Sequence, residues 1–163
     1  CCAKPVTDLL IRDNRRHDAR ARPMLTPADA VATVVGSTQL TAELWELRVT
    51  LPAPLTFYPG QYAELGLDSG VETVWRGYSM ASAPSESELA FVLKRIDGGA
   101  FSGRVTGLAA GAPLKLRGPF GTSYLRDGTG PVLLAAIGSG LAPILSMLRA
   151  AALRGDTRAF TFF

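Results

Sequence analysis

Between residues 30 and 118 the chain is a succession of short β-prone runs, and that rhythm restricts its fold more than any other feature. VATVVG (31–36), ELWELRVTL (43–51), QYAELGL (61–67), TVWRGYS (73–79), ELAFVLKRI (88–96) and APLKLRG (112–118) are separated by breaks such as YPGQ, SAPSES and DGG. Closely spaced short strands with turn residues between them predict an antiparallel barrel or sandwich. At 163 residues the chain has room for one full domain and little more. Its 47% hydrophobic and 19% charged residues supply a core and exclude wholesale disorder. No internal repeat or low-complexity segment interrupts the pattern.

Two stretches depart from it. GGAFSGRVTGLAAG (98–111) carries Phe101, Val105 and Leu108 at helical spacing, which predicts a short helix capping one end of the strands, with an N-terminus suited to an anion. PVLLAAIGSGLAPILSML (131–148) has no charge and approaches the length of a membrane span. Gly138, Ser139, Gly140 and Pro143 divide it, however, into a strand at 131–137, a glycine turn and a helix at 143–154 ended by Gly155. RAFTFF then supplies a second strand, so the chain enters a βαβ pattern that two strands and one helix leave incomplete. The divisions expected are 1–25 for an N-terminal remnant and linker, 26–127 for the barrel, and 128–163 for the beginning of an α/β domain.

The net charge of +3 comes largely from RDNRRHDARAR (12–22), which lacks interleaved aromatics and reads as a solvated linker rather than a nucleic-acid arm. His17 lies in that linker and reads as solvated. Cys1 and Cys2 are adjacent, a poor geometry for a bridge, and no disulfide framework is expected; this suits a cytoplasmic protein, and secretion is not expected. Neither a nucleic acid nor a membrane is expected as a partner.

WRGYSMASAP (75–84) holds the residues with the most chemistry. The Arg76 guanidinium is a planar fork suited to phosphate oxygens, Ser79 and Ser82 offer hydroxyls to a heteroaromatic ring, and Tyr78 can lie against such a ring. This describes a site for a phosphate-bearing aromatic cofactor, although a strand with surface hydroxyls has the same composition. Gly99, Ala100, Phe101 and Ser102 would offer backbone amides to the same phosphates, or form a plain glycine turn. GSGLAP (138–143) lies where a strand meets a helix, the placement at which a dinucleotide approaches the backbone, but Pro143 replaces the third glycine of the usual fingerprint.

Taken in order, Pro-Gly-Gln-Tyr (59–62), Arg-Gly-Tyr-Ser-Met-Ala-Ser (76–82), Gly-Gly-Ala-Phe-Ser (98–102), Gly-Pro-Phe-Gly (118–121) and Gly-Ser-Gly-Leu-Ala-Pro (138–143) resemble the ferredoxin–NADP reductase superfamily. Within it the chain is similar to reductase components of aromatic-ring-hydroxylating dioxygenases, which join a 2Fe-2S domain, a flavin barrel and a nicotinamide domain. The resemblance implies a Greek-key FAD-binding barrel followed by the start of an NAD(P)-binding domain. It implies that Arg76 pairs flavin phosphate, Tyr78 contacts the isoalloxazine or ribityl chain, and Ser79 bonds near flavin N5 as the catalytic contact. Gly99 to Ser102 would bind pyrophosphate, and Gly138, Gly140 and Pro143 would open the nicotinamide site. It further implies hydride transfer from NAD(P)H to FAD and single-electron delivery to a ferredoxin or oxygenase component. CCAKPVTDLLI (1–11) resembles the last turn of a plant-type ferredoxin domain with Cys1 at the fourth cluster position, but the other three cysteines are missing and no 2Fe-2S cluster is expected. A flavin-binding or partner-binding module without turnover, or a structural fragment that its exposed α/β edge leaves unstable or aggregating, are the alternatives.

Other residues have plainer readings. Trp45, Phe57 and Phe91 are expected in the core and Met147 in helix packing. Glu64, Asp68 and Glu72 are scattered, so no metal site is expected.

Overall fold

The computed structural model describes residues 22–96 and 98–163; the readings placed on Cys1, Cys2 and His17 lie outside the described residues. Each β-prone run becomes a strand: β1 (Ala28–Gln39), β2 (Leu44–Thr50), β3 (Tyr62–Asp68), β4 (Thr73–Ser79), β5 (Leu89–Lys94) and β6 (Pro113–Phe120). Alternation decides their faces. Leu47 and Val49 in β2, and Ala63, Leu65 and Leu67 in β3, turn inward, while Arg48 and Glu64 between them stay partly exposed.

The six strands form one antiparallel sheet in the order β4-β3-β6-β1-β2-β5. β1 makes it curl: residues 28–33 pair with β6 and residues 33–39 with β2, and the ladder bulges between Val34 and Gly36. A bulge bends its strand and increases the local twist. The two outer strands then meet, through a bridge between Met80 and Phe91 and a 2.7 Å bond from Ala81 N–H to the Ala90 carbonyl. β3, β4 and β5 thus follow one another round the curve and β6 returns beside β3, the Greek-key arrangement. Leu47, Leu65, Met80, Phe91, Leu93, Leu114 and Leu116 fill the interior, each contributing about 1.5–3 kcal/mol by leaving water. Phe57 joins that core as expected. Trp45 does not: it is half-buried at the rim of β2, with the Arg95 guanidinium 5.5 Å from its ring.

The helix expected over 98–111 is a single turn, α1 (Ser102–Val105). Phe101 and Val105 are buried, as their spacing required, but Gly107 and Leu108 fall back to tighter bonds three residues upstream, and Gly111 at φ +87° lies outside helical geometry.

Beyond β6 come β7 (Val132–Leu134), a 3-10 turn (Gly138–Gly140), α2 (Leu141–Leu153) and β8 (Phe160–Phe162), with β7 and β8 parallel. β7 is shorter than 131–137 because β8 offers it only three partners. α2 starts two residues before Pro143, which occupies the first turn, where a missing N–H forfeits no intrahelical bond. Met147 packs with Leu125, Leu134, Ile144 and Ala151, while Ala142 meets Ala81, Ala90 and Val92 of the barrel. Among the described residues no helix is long and apolar enough to cross a membrane.

Candidate functional site

β4 carries the first wall of the site. Its alternation places Arg76 and Tyr78 on one face and Ser79 on the other, directly across from Tyr62 of β3. Arg76 is exposed; its guanidinium donates to the carbonyl of neighbouring Trp75 at 2.8 Å and pairs with no carboxylate among the described residues. Tyr78 is half-buried, and that burial pushes its phenol above the ordinary value while the nearby Arg76 charge pulls it back. The phenol is therefore a neutral donor at physiological pH. The Ser79 hydroxyl bonds no described residue.

The second wall is the approach to α1. The Tyr78 ring stacks on Phe101 at 5.8 Å and 28°, which brings the 98–102 loop alongside β4. Gly99 is there because no side chain fits: an added Cβ would lie 2.9 Å from the Ile96 carbonyl oxygen. The Gly99 N–H donates to that carbonyl at 3.0 Å, so it is spent inside the turn. The Ser102 hydroxyl is likewise used, accepting the Ile96 N–H at 2.9 Å. Backbone N–H groups of Ala100, Phe101 and Ser102 bond no described residue. What this loop has to offer an anion is thus its backbone amides at 100–102 and not the Ser102 side chain. Ser82 departs from expectation in the same way: it is fully buried and its hydroxyl accepts the Ala90 N–H at 3.1 Å, because two residues past the Met80 bridge the chain has passed inside the sheet closure.

The third element is the Gly138–Gly140 turn, exposed, with Gly138 at φ +58°. It heads α2 and lies beside β5. Gly138, Gly140 and Pro143 therefore sit at a strand-to-helix junction beside β5.

Two features escaped the sequence reading. The Tyr62 ring packs against Phe120 at 5.5 Å and lies over Gly77 and Gly121, leaving a partly exposed aromatic surface beside Ser79. Its signal was Tyr62 in Pro-Gly-Gln-Tyr together with the glycines at 77 and 121. Arg22, from the segment expected to be solvated, is paired: it grips both Asp127 oxygens at 2.9 and 2.6 Å and lies 5.1 Å from the Tyr58 ring centre. That hydrogen-bonded pair holds the Asp127 carboxyl below its usual range. Glu64 and Asp68 are engaged with Arg117 and Lys115, and no cluster of metal-ligating side chains occurs among the described residues.

Known proteins share this architecture. The chain is 43% identical over 121 residues to the ferredoxin–NAD(P)+ reductase component of a naphthalene 1,2-dioxygenase/salicylate 5-hydroxylase system from Ralstonia sp, covering 73% of this chain and 36% of that protein. It is 34% identical to the reductase component of phenol 2-monooxygenase from a Pseudomonas species, covering 100% of this chain and 46% of the relative. The chain therefore spans less than half the length of these relatives. Among solved structures, the Amycolatopsis cytochrome P450 reductase GcoB superposes with a TM-score of 0.77 at 30% identity, covering 86% of this chain and 44% of that one. A ferredoxin reductase in carbazole 1,9a-dioxygenase gives 0.73 at 30% identity, covering 86% and 43%. Residues 31–124, more than half the chain, match the oxidoreductase FAD-binding domain family, and the chain belongs to that family.

Proposed function

We propose that β4 and the adjoining 98–102 loop hold FAD, and that the chain is the flavin-binding part of a reductase carrying electrons from NAD(P)H to an iron–sulfur acceptor. The observation that carries this reading is Arg76: an exposed guanidinium without a carboxylate partner among the described residues, joined through the Tyr78–Phe101 stack to a loop with three amides that bond no described residue. Uncompensated cation and amides on adjoining elements suit a phosphate or pyrophosphate. Tyr78 offers an aromatic ring and a neutral hydroxyl on the Arg76 face of β4, while the Ser79 hydroxyl, which bonds no described residue, lies on the opposite face at the end of the strand.

Arg76 would bind phosphate, Tyr78 would orient the isoalloxazine or ribityl portion, and Ser79 would hold a hydrogen bond near flavin N5. Ala100 to Ser102 would cradle the pyrophosphate by backbone N–H, with Gly99 allowing the tight approach. When bound, FAD supplies the conversion of a two-electron hydride donor into single-electron delivery. Gly138, Gly140 and Pro143 would begin the nucleotide site of NADH or NADPH, and the acceptor would be a ferredoxin or an oxygenase component. In this reading residues 26–127 are the flavin domain, 128–163 belong to the nucleotide domain, and 1–25 hold a segment like the end of a ferredoxin domain and a linker, all in a cytoplasmic protein.

Equilibrium titration with FAD and with riboflavin separates these contacts. Arg76→Ala should weaken FAD binding by about 10-fold or more, the worth of one charge-assisted phosphate contact, and leave riboflavin affinity unchanged. Equal losses for both ligands would remove Arg76 from the phosphate.

A further inference from the structure

The Arg-Gly-Tyr-Ser-Met-Ala-Ser segment does not end at the proposed flavin contacts. At its last residue, the fully buried Ser82, both polar groups are committed to other elements. The hydroxyl accepts the Ala90 N–H at 3.1 Å, and the carbonyl accepts the hydroxyl of Ser146, fully buried on α2, at 2.7 Å. Three residues further along α2, Arg149 donates to the Ala81 carbonyl at 3.3 Å and lies 3.7 Å from Glu86. Four residues before Ser146, Ala142 rests on Ala81, Ala90 and Val92. Residues 142, 146 and 149 are one face of the helix, and that face is occupied by residues 81–92 of the barrel.

We infer that Ser146 and Arg149 are positioning residues that lock α2, with the Gly138–Gly140 turn at its head, onto residues 81–82, which directly follow the strand bearing Arg76, Tyr78 and Ser79. Apolar contact is non-directional and would let the helix slide, whereas two hydrogen bonds to successive carbonyls fix its register. Little slack exists on either side of the lock. Between Ser79 and Ser82, Met80 N–H is tied to the Gln61 carbonyl at 3.1 Å and Ala81 N–H to the Ala90 carbonyl at 2.7 Å. Between Gly140 and Ser146 the chain is continuous helix. The spacing between proposed flavin strand and proposed nucleotide turn is therefore set by the second serine of the motif. This purpose rests on the flavin reading; the lock itself does not.

Spin labels at Val71→Cys, on the exposed β3–β4 turn, and Ser139→Cys, with Cys1 and Cys2 replaced by serine, read the spacing in the whole chain without flavin. A single narrow distance is expected, retained in Arg149→Lys and widened about twofold in Ser146→Ala/Arg149→Ala as the helix gains freedom. A broad parent distribution, or a double variant as narrow as the parent, overturns the inference. Should the double variant not fold, Arg149→Ala against Arg149→Lys decides: equal widths overturn it and a wider alanine variant supports it. FAD retention, measured separately, tests the flavin reading and leaves the distance result standing whichever way it falls.

Discussion

Gly60, in the Pro-Gly-Gln-Tyr segment, shows how tightly the barrel and the α/β unit are joined, and replacing it by alanine gives a magnitude that can be worked out. Its φ is +110°, and a Cβ there would lie 2.4 Å from Met147 Cε, 2.9 Å from the Ser123 carbonyl oxygen and 3.0 Å from Tyr124 Cα. The methionine methyl can swing aside, but the two backbone atoms belong to the link between β6 and β7. An alanine in left-handed backbone costs about 1–2 kcal/mol, and forcing a packed backbone apart adds about 1–3 kcal/mol. A loss of about 2–5 kcal/mol follows, lowering the melting temperature by roughly 4–20 °C for a chain of this size. Gly70 is the control: at φ +89° it shares the backbone strain, but no atom lies within 4 Å of its Cβ. Gly70→Ala should therefore lose only about 1–2 kcal/mol. Paired thermal melts followed by circular dichroism measure both. If Gly60→Ala melts no lower than Gly70→Ala, the close packing of the 59–61 turn against residues 123–124 is refuted.

Other expectations follow from the hydrogen bonds. Ser82→Ala strands the buried Ala90 N–H and should cost about 1–3 kcal/mol in urea denaturation while FAD affinity stays at the parent value; loss of flavin in a folded variant would return Ser82 to the flavin site. Asp127 and Asp156 are held below the ordinary carboxylate range, chiefly by hydrogen bonds from Arg22 and Arg158 respectively. Because the folded values are the lower ones, their stabilisation is present above the unfolded carboxylate value and is lost as pH falls through the folded one. Melting temperature should thus drop from about pH 5 downward, and less steeply in Asp127→Asn; identical slopes would show that the Arg22 pair contributes nothing.

The barrel was legible because its strands alternate: Leu47 with Val49, and Ala63 with Leu65 and Leu67, declare their inner face in the sequence alone. The strand that carries Arg76, Tyr78 and Ser79 was legible too, as TVWRGYS, whereas the faces these side chains take follow from its pairing with β3. What failed was decided at long range. Helical spacing at 101, 105 and 108 could be met by one turn plus tighter bonds, so the pattern overstated α1. Ser82 looks like Ser79 in sequence and differs only because the Met80–Phe91 bridge carries the chain inside. Arg22 and Asp127 are 105 positions apart, and nothing local in either segment announces the pair.

Whether this barrel holds FAD through Arg76 and its neighbours is decided by the visible absorption spectrum of the purified chain after incubation with FAD and desalting, alongside Arg76→Ala. Flavin bands retained by the parent and lost from the variant are the predicted result. A folded parent that emerges colourless would leave the barrel standing and contradict the flavin site.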